Sequence, residues 1–72
     1  MSDLIDILER IRPDVDFTAE QALIDDGILS SFDIINIVTD INLAFSVDIS
    51  VADLTPDNFN SAESMMALIE SF

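Results

Sequence analysis

The chain contains no cysteine and no histidine. Without cysteine, neither disulfides nor thiolate metal sites can hold the fold together. Without histidine, the usual imidazole general base and the commonest zinc ligand are both missing. Most hydrolase and metalloenzyme classes are excluded at once, and no nucleophile–base constellation can be assembled from what remains. The chain is therefore not expected to be an enzyme. Lysine is absent too, and Arg10 and Arg12 stand alone against fifteen acidic residues, for a net charge of −13. A surface this acidic is repelled by nucleic acid phosphates and by anionic membranes. It is attracted to basic patches on protein partners, with encounter rates that fall as salt rises. The same charge also keeps a small apolar protein in solution, and the two roles are compatible. No apolar run approaches the roughly 20 residues of a membrane span, and Met1-Ser2-Asp3 is acidic where a secretory leader is basic. The expectation is a soluble, cytoplasmic monomer that neither inserts into membranes nor binds nucleic acid.

What is present argues for a folded domain. Half of the 72 residues are hydrophobic, too many for a disordered acidic segment, and the length suits one domain over 1–72, near the lower limit for an unaided core. A first helix is predicted from Asp3 to Arg12, with Ser2 as its N-cap and Asp3 at its positive end. Leu4, Ile7, Leu8 and Ile11 recur at helical spacing and form its buried stripe. Arg10 and Arg12 suit the negative end of the helix dipole, and Pro13 stops it. They read as helix-end charges rather than as a binding site.

A long connection follows. Thr18-Ala19-Glu20-Gln21 has capping-box spacing and predicts a short helical turn. Val15, Phe17, Leu23, Ile24, Ile28 and Leu29 are too apolar for a free loop and should be pinned over the core. Connections of this length in a small domain are often functional. Asp25-Asp26-Gly27 is a turn signal, with the sole glycine free to take positive φ. The alternating acids and distal glutamate of a calcium loop are missing, so no metal site is expected.

The second helix should start at Ser30 or Ser31 and end near Phe45 or Ser46. With Ile34 as zero and about 100° per residue, Ile37, Val38, Ile41 and Phe45 fall on one core-facing stripe. A second apolar arc holds Phe32, Ile35, Thr39 and Leu43, with Asn36 and Asn42 at its edges, while Asp33 and Asp40 share the third side. That second arc packs under the loop or the last helix, or is left exposed as a contact strip.

Ser46 to Ser50 reads as a short extended link. Ser50 caps a one-turn helix, Val51 to Leu54, and Thr55-Pro56-Asp57-Asn58-Phe59 reads as a turn. Asn60 with Glu63 predicts the cap of a last helix, Ser61 to Ser71, whose buried side is Ala62, Met65, Leu68, Ile69 and Phe72. The fold class is all-α: a small bundle of three main helices plus one short helix, with a long first loop.

With Asp26-Gly27-Ile28-Leu29 leading into Ser30-Ser31-Phe32-Asp33, and Ile49 to Phe59 following the second helix, nearly the whole chain resembles the acyl and peptidyl carrier protein family. The Gly-Ile-Leu-x-Ser-Phe arrangement is closest to stand-alone aminoacyl carriers, D-alanyl carriers among them. The resemblance implies an acyl-carrier-like bundle in which Ser31 receives 4′-phosphopantetheine from coenzyme A through a separate phosphopantetheinyl transferase. The arm's thiol then holds an acyl or aminoacyl group as a thioester and presents it to an adenylating or acyl-loading enzyme and to downstream acyl-transfer enzymes. Ser31 is the attachment residue in the family's register, because Phe32 and Asp33 follow it. Ser30 departs from the pattern, standing where the family places an aspartate. By matching position, Phe32, Ile35, Asn36, Thr39 and Leu43 are the partner-recognition candidates. They are more apolar and less acidic than in fatty-acid carriers, which points to an amino-acid or specialised-metabolite pathway. The alternative is a non-covalent acidic interaction module, a degenerate carrier or inhibitor, that binds a basic protein surface.

Overall fold

The computed structural model describes Ser2 to Phe72. The chain forms α1 (Ser2–Ile11), α2 (Ser31–Phe45), a single 3₁₀ turn (Val51–Asp53), the one-turn α3 (Pro56–Phe59) and α4 (Ala62–Glu70). The fold is thus all-α, with three main helices, one short helix and a long α1–α2 loop. α1 packs against both α2 and α4, and α3 against α4. Among the described residues no helix is long and apolar enough to cross a membrane.

The stripes predicted from periodicity form the core. Leu4, Ile7 and Leu8 of α1, Ile37 and Ile41 of α2, and Ala62, Met65 and Ile69 of α4 are buried. Ile11, Ile34, Val38, Phe45 and Leu68 are half-buried and pack around them. Phe72 is a correction: it is 57 % exposed, not part of the buried side. α4 ends at Glu70, so the helical spacing that would turn Phe72 inward no longer applies.

Element ends differ from expectation for local reasons. Ser2 lies within the first turn of α1 rather than capping it, and the helix stops at Ile11. Arg12 precedes Pro13, whose ring disfavours helical φ/ψ at the residue before it. The backbone N–H of Arg12 still donates to Leu8 O at 2.9 Å, while its side chain bonds to Asp14, Ile28 O and Asp33. In the loop, Thr18 does not cap a turn. Asp16 does: its Oδ1 accepts from the Thr18 N–H and hydroxyl, and its carbonyl from the Ala19 and Glu20 N–H groups. Thr55 to Phe59, expected as a turn, contains α3 with Pro56 at its start, where a missing N–H costs nothing. α4 is capped by Ser61, whose hydroxyl accepts from Ser64 N–H at 3.1 Å, and not by Asn60.

The loop is held by apolar burial and by side chains acting at long range. Phe17, Leu23 and Leu29 are buried, with Val15, Ile24 and Ile28 packed against the core. Ile28 and Leu29 both donate to Leu23 O at 3.0 Å, closing a turn in which Gly27 takes φ +69°. Asn60 Oδ1 accepts from the Ile24 and Asp25 N–H groups at 3.0 and 3.1 Å, and Leu23 N–H donates to Asn60 O. Asn42 acts likewise on the second link: its Oδ1 accepts from Ile49 N–H at 3.0 Å, fixing the buried Ile49. α2 itself ends on Ser46 at φ 56°, a left-handed conformation that costs a residue with a Cβ roughly 1–2 kcal/mol.

Candidate functional site

Ser31 is the first residue of α2 and is exposed. Its position follows from its two neighbours. Ser30 is the N-cap, with extended backbone, and its hydroxyl accepts from Asp33 N–H at 3.2 Å. Asp33 returns the bond, its Oδ2 accepting from Ser30 N–H at 3.1 Å. This reciprocal capping box satisfies two of the amide donors that a helix start leaves unpaired. Ser30 therefore caps the helix with a neutral side chain. Ser31 takes no part in the box.

Helical spacing puts Asp33 on the third side of α2, shared with Asp40, and Arg12 reads as a helix-end charge. The structure brings them together. Arg12 Nη1 donates to Asp33 Oδ2 at 2.7 Å and to Ile28 O at 2.9 Å. Its Nε and Nη2 grip both oxygens of Asp14 at 3.0 and 2.9 Å. The Asp33 side chain is only 14 % exposed, against 28 % for Arg12. The Ser30 N–H holds the Asp33 carboxyl below its ordinary range; burial opposes this, and the Arg12 guanidinium adds to the lowering. The two carboxylates in turn raise the Arg12 pKa, the Asp14 bond contributing most. The reciprocal box between Ser30 and Asp33 emerges only from the structure. So does the guanidinium that neutralises its acid, contributed by a residue 21 positions away.

The second arc of α2 is exposed, so it does not pack under the loop or α4. Phe32 is 73 % and Leu43 78 % exposed, and Ile35 and Thr39 are also on the surface. Thr39 donates its hydroxyl to Ile35 O at 2.8 Å, which engages its donor within the helix. Asn36 is half-buried, and Asn42, at the other edge, is committed to Ile49. Sequence reasoning missed the continuation of this surface onto the 3₁₀ turn. An open apolar groove is lined by Ser31, Ile34 and Ile35 of α2 with Val51 and Leu54, and Val51 is almost fully exposed. A one-turn element carries too few residues for any periodicity to show which way Val51 faces.

The site thus consists of an exposed serine hydroxyl at a capped helix start, an apolar groove beside it, and an apolar strip running down the same helix. Comparison of the chain with protein-family models, with curated proteins and with solved structures yields no match in any of the three.

Proposed function

We propose that the chain is a carrier of the acyl and peptidyl carrier kind, with Ser31 as the attachment point of 4′-phosphopantetheine. The observation that carries this proposal is the placement of Ser31: exposed, at the first position of a 15-residue helix, with the capping function delegated to Ser30 and Asp33. A phosphodiester on its Oγ lies at the positive end of the helix dipole, near backbone N–H groups with no helical partner.

In the attachment step the Ser31 Oγ forms a bond to the pantetheine-bearing phosphorus of coenzyme A. The pyrophosphate P–O bond breaks, 3′,5′-ADP leaves, and the serine proton passes to a base on the transferase. The carrier contributes an accessible hydroxyl and a fixed helix start, and needs neither histidine nor cysteine of its own. The arm's thiol then carries the acyl or aminoacyl group as a thioester. Phe32, Ile35, Asn36, Thr39 and Leu43 form the face that the transferase, the loading enzyme and the acyl-transfer enzymes meet. Its apolar character favours an aminoacyl or specialised-metabolite cargo over fatty-acid synthesis.

Incubation with coenzyme A and a broad-specificity phosphopantetheinyl transferase, followed by intact-mass measurement, tests the proposal. The expected result is a gain of one phosphopantetheinyl group that disappears in Ser31→Ala. No gain, or a gain that persists in Ser31→Ala, overturns the assignment. Salt-sensitive binding to a basic protein, unaffected by Ser31→Ala, would instead identify a non-covalent acidic module.

A further inference from the structure

Between the end of the loop and the first turn of α2, the chain is tethered at Ile28, Leu29, Ser30 and Asp33. Ile28 O accepts from Arg12, Leu29 N–H donates to Leu23 O, and Ser30 and Asp33 cap one another. Leu29 is buried. Arg12 is the hub of this arrangement, because its Nη1 alone spans the last part of the loop and the acid of the capping box. Its remaining contacts, to both oxygens of Asp14, fix the guanidinium plane from the start of the loop.

We propose that Arg12 is a positioning residue for Ser31: by joining the end of α1, Ile28 and Asp33 through one guanidinium, it sets the orientation in which the serine is presented to a modifying enzyme. This role rests on the carrier function proposed above. The geometry needs arginine in particular. The guanidinium offers five donors in a rigid plane, and four bonds to three residues are made here. A lysine ammonium supplies the charge but not the fork, so it can reach Asp33 or Asp14 without holding both in one plane. The pairing has a second effect on the same site. Asp33, beside the serine, is engaged within the chain, so a partner approaching Ser31 meets hydroxyl and apolar groups there rather than a free carboxylate.

The experiment compares wild type, Arg12→Gln and Arg12→Lys with a core variant of matched thermal stability, such as Ile7→Val. Two quantities are measured: amide hydrogen exchange, and the rate of phosphopantetheinylation of Ser31 by a broad-specificity transferase with coenzyme A. In Arg12→Gln, exchange at Leu29, Ser30 and Asp33 is expected to rise about tenfold while the α4 amides keep their protection. The modification rate should fall about tenfold with it. Arg12→Lys should lie between Arg12→Gln and wild type, and Ile7→Val should change neither local exchange nor rate beyond its effect on overall stability. Unchanged exchange at those three amides overturns the positioning role, and so does an unchanged modification rate in Arg12→Gln alongside a modified wild type. If wild-type Ser31 gains no mass, the carrier function falls and this role with it. The exchange data then still report whether Arg12 tethers the helix start.

Discussion

Asn60 clasps Asp25 from both ends: its Oδ1 accepts from the Asp25 N–H at 3.1 Å while its Nδ2 donates to Asp25 Oδ2 at 3.1 Å. With the further bond from Ile24 N–H, one amide at the α3–α4 junction anchors the middle of the long loop.

Replacing Asn60 by alanine leaves the Ile24 and Asp25 N–H groups without their acceptor, and Ile24 is half-buried. The expected loss is about 1–3 kcal/mol, or a Tm lower by several degrees at roughly 4–8 °C per kcal/mol for a domain of this size. Asn60→Asp should be no better, because it keeps the acceptor but faces Asp25 with a second carboxylate. Thermal unfolding followed by circular dichroism decides the matter, and a Tm within a degree of wild type for Asn60→Ala would show that the clasp contributes nothing.

Ser30 supplies a neutral cap, so Ser30→Ala should cost about 1 kcal/mol. Ser30→Asp retains a cap acceptor of similar quality, and it restores the acid of the resembled family's motif. It is expected to leave Tm nearly unchanged and to raise the rate of Ser31 modification. An unchanged rate in Ser30→Asp, at equal stability, would mean that the transferase does not read an acid at this position, and a slower rate that it disfavours one.

The strip and the stripe of α2 should respond in opposite ways. Ile35→Lys or Leu43→Lys alters exposed side chains, so stability is expected to stay within about 0.5 kcal/mol while turnover by partner enzymes falls. Ile37→Ala removes a fully buried side chain and should cost about 2–5 kcal/mol. Denaturant titration and a loading assay, run on the same variants, separate the two faces. A large stability loss in Ile35→Lys would place that residue in the core instead.

Asp33 has a pKa lowered from its ordinary 3.8, first by the Ser30 N–H and then by Arg12. A depressed folded-state pKa means that the carboxylate stabilises the fold above its unfolded value, and that this contribution is lost as pH falls through the folded value. The stability difference between wild type and Asp33→Asn should therefore be full near neutrality, begin to shrink near pH 4 and fade below that. Urea midpoints for both proteins across that range test the sign. A difference that grows on acidification would contradict it.

Much of this architecture is written in the helical spacing of apolar residues. Leu4, Leu8, Ile37, Ile41, Met65 and Ile69 were placed in the core by arithmetic alone, and they are there, because burying one face is what stabilises each helix. The apolar loop residues were legible for the same reason. What periodicity does not encode is a polar side chain reaching across the fold. Asn60 bonds to a backbone 36 residues away and Arg12 to a carboxylate 21 away, and neither spacing repeats. Phe72 was misplaced because a helical wheel does not know where its helix ends. Of the candidate site, a helix start at Ser30 or Ser31 and a second apolar arc carrying Phe32, Ile35 and Leu43 follow from the sequence, but periodicity left open whether that arc is covered or exposed. The neutralisation of Asp33 and the groove with Val51 needed three dimensions.

The exposed strip on α2 also bears on the protein's behaviour as a colloid. Apolar surface of this kind promotes self-association, and here the countervailing force is mutual repulsion between molecules each carrying a net charge of −13. That repulsion weakens as salt shortens its range, and it vanishes near the isoelectric point of about 4.1, while Phe32, Leu43 and Val51 stay as greasy as before. Dispersal in dilute neutral buffer is thus expected to depend on net charge rather than on any concealment of the strip, and mildly acidic or concentrated salt solutions are where self-association is expected first.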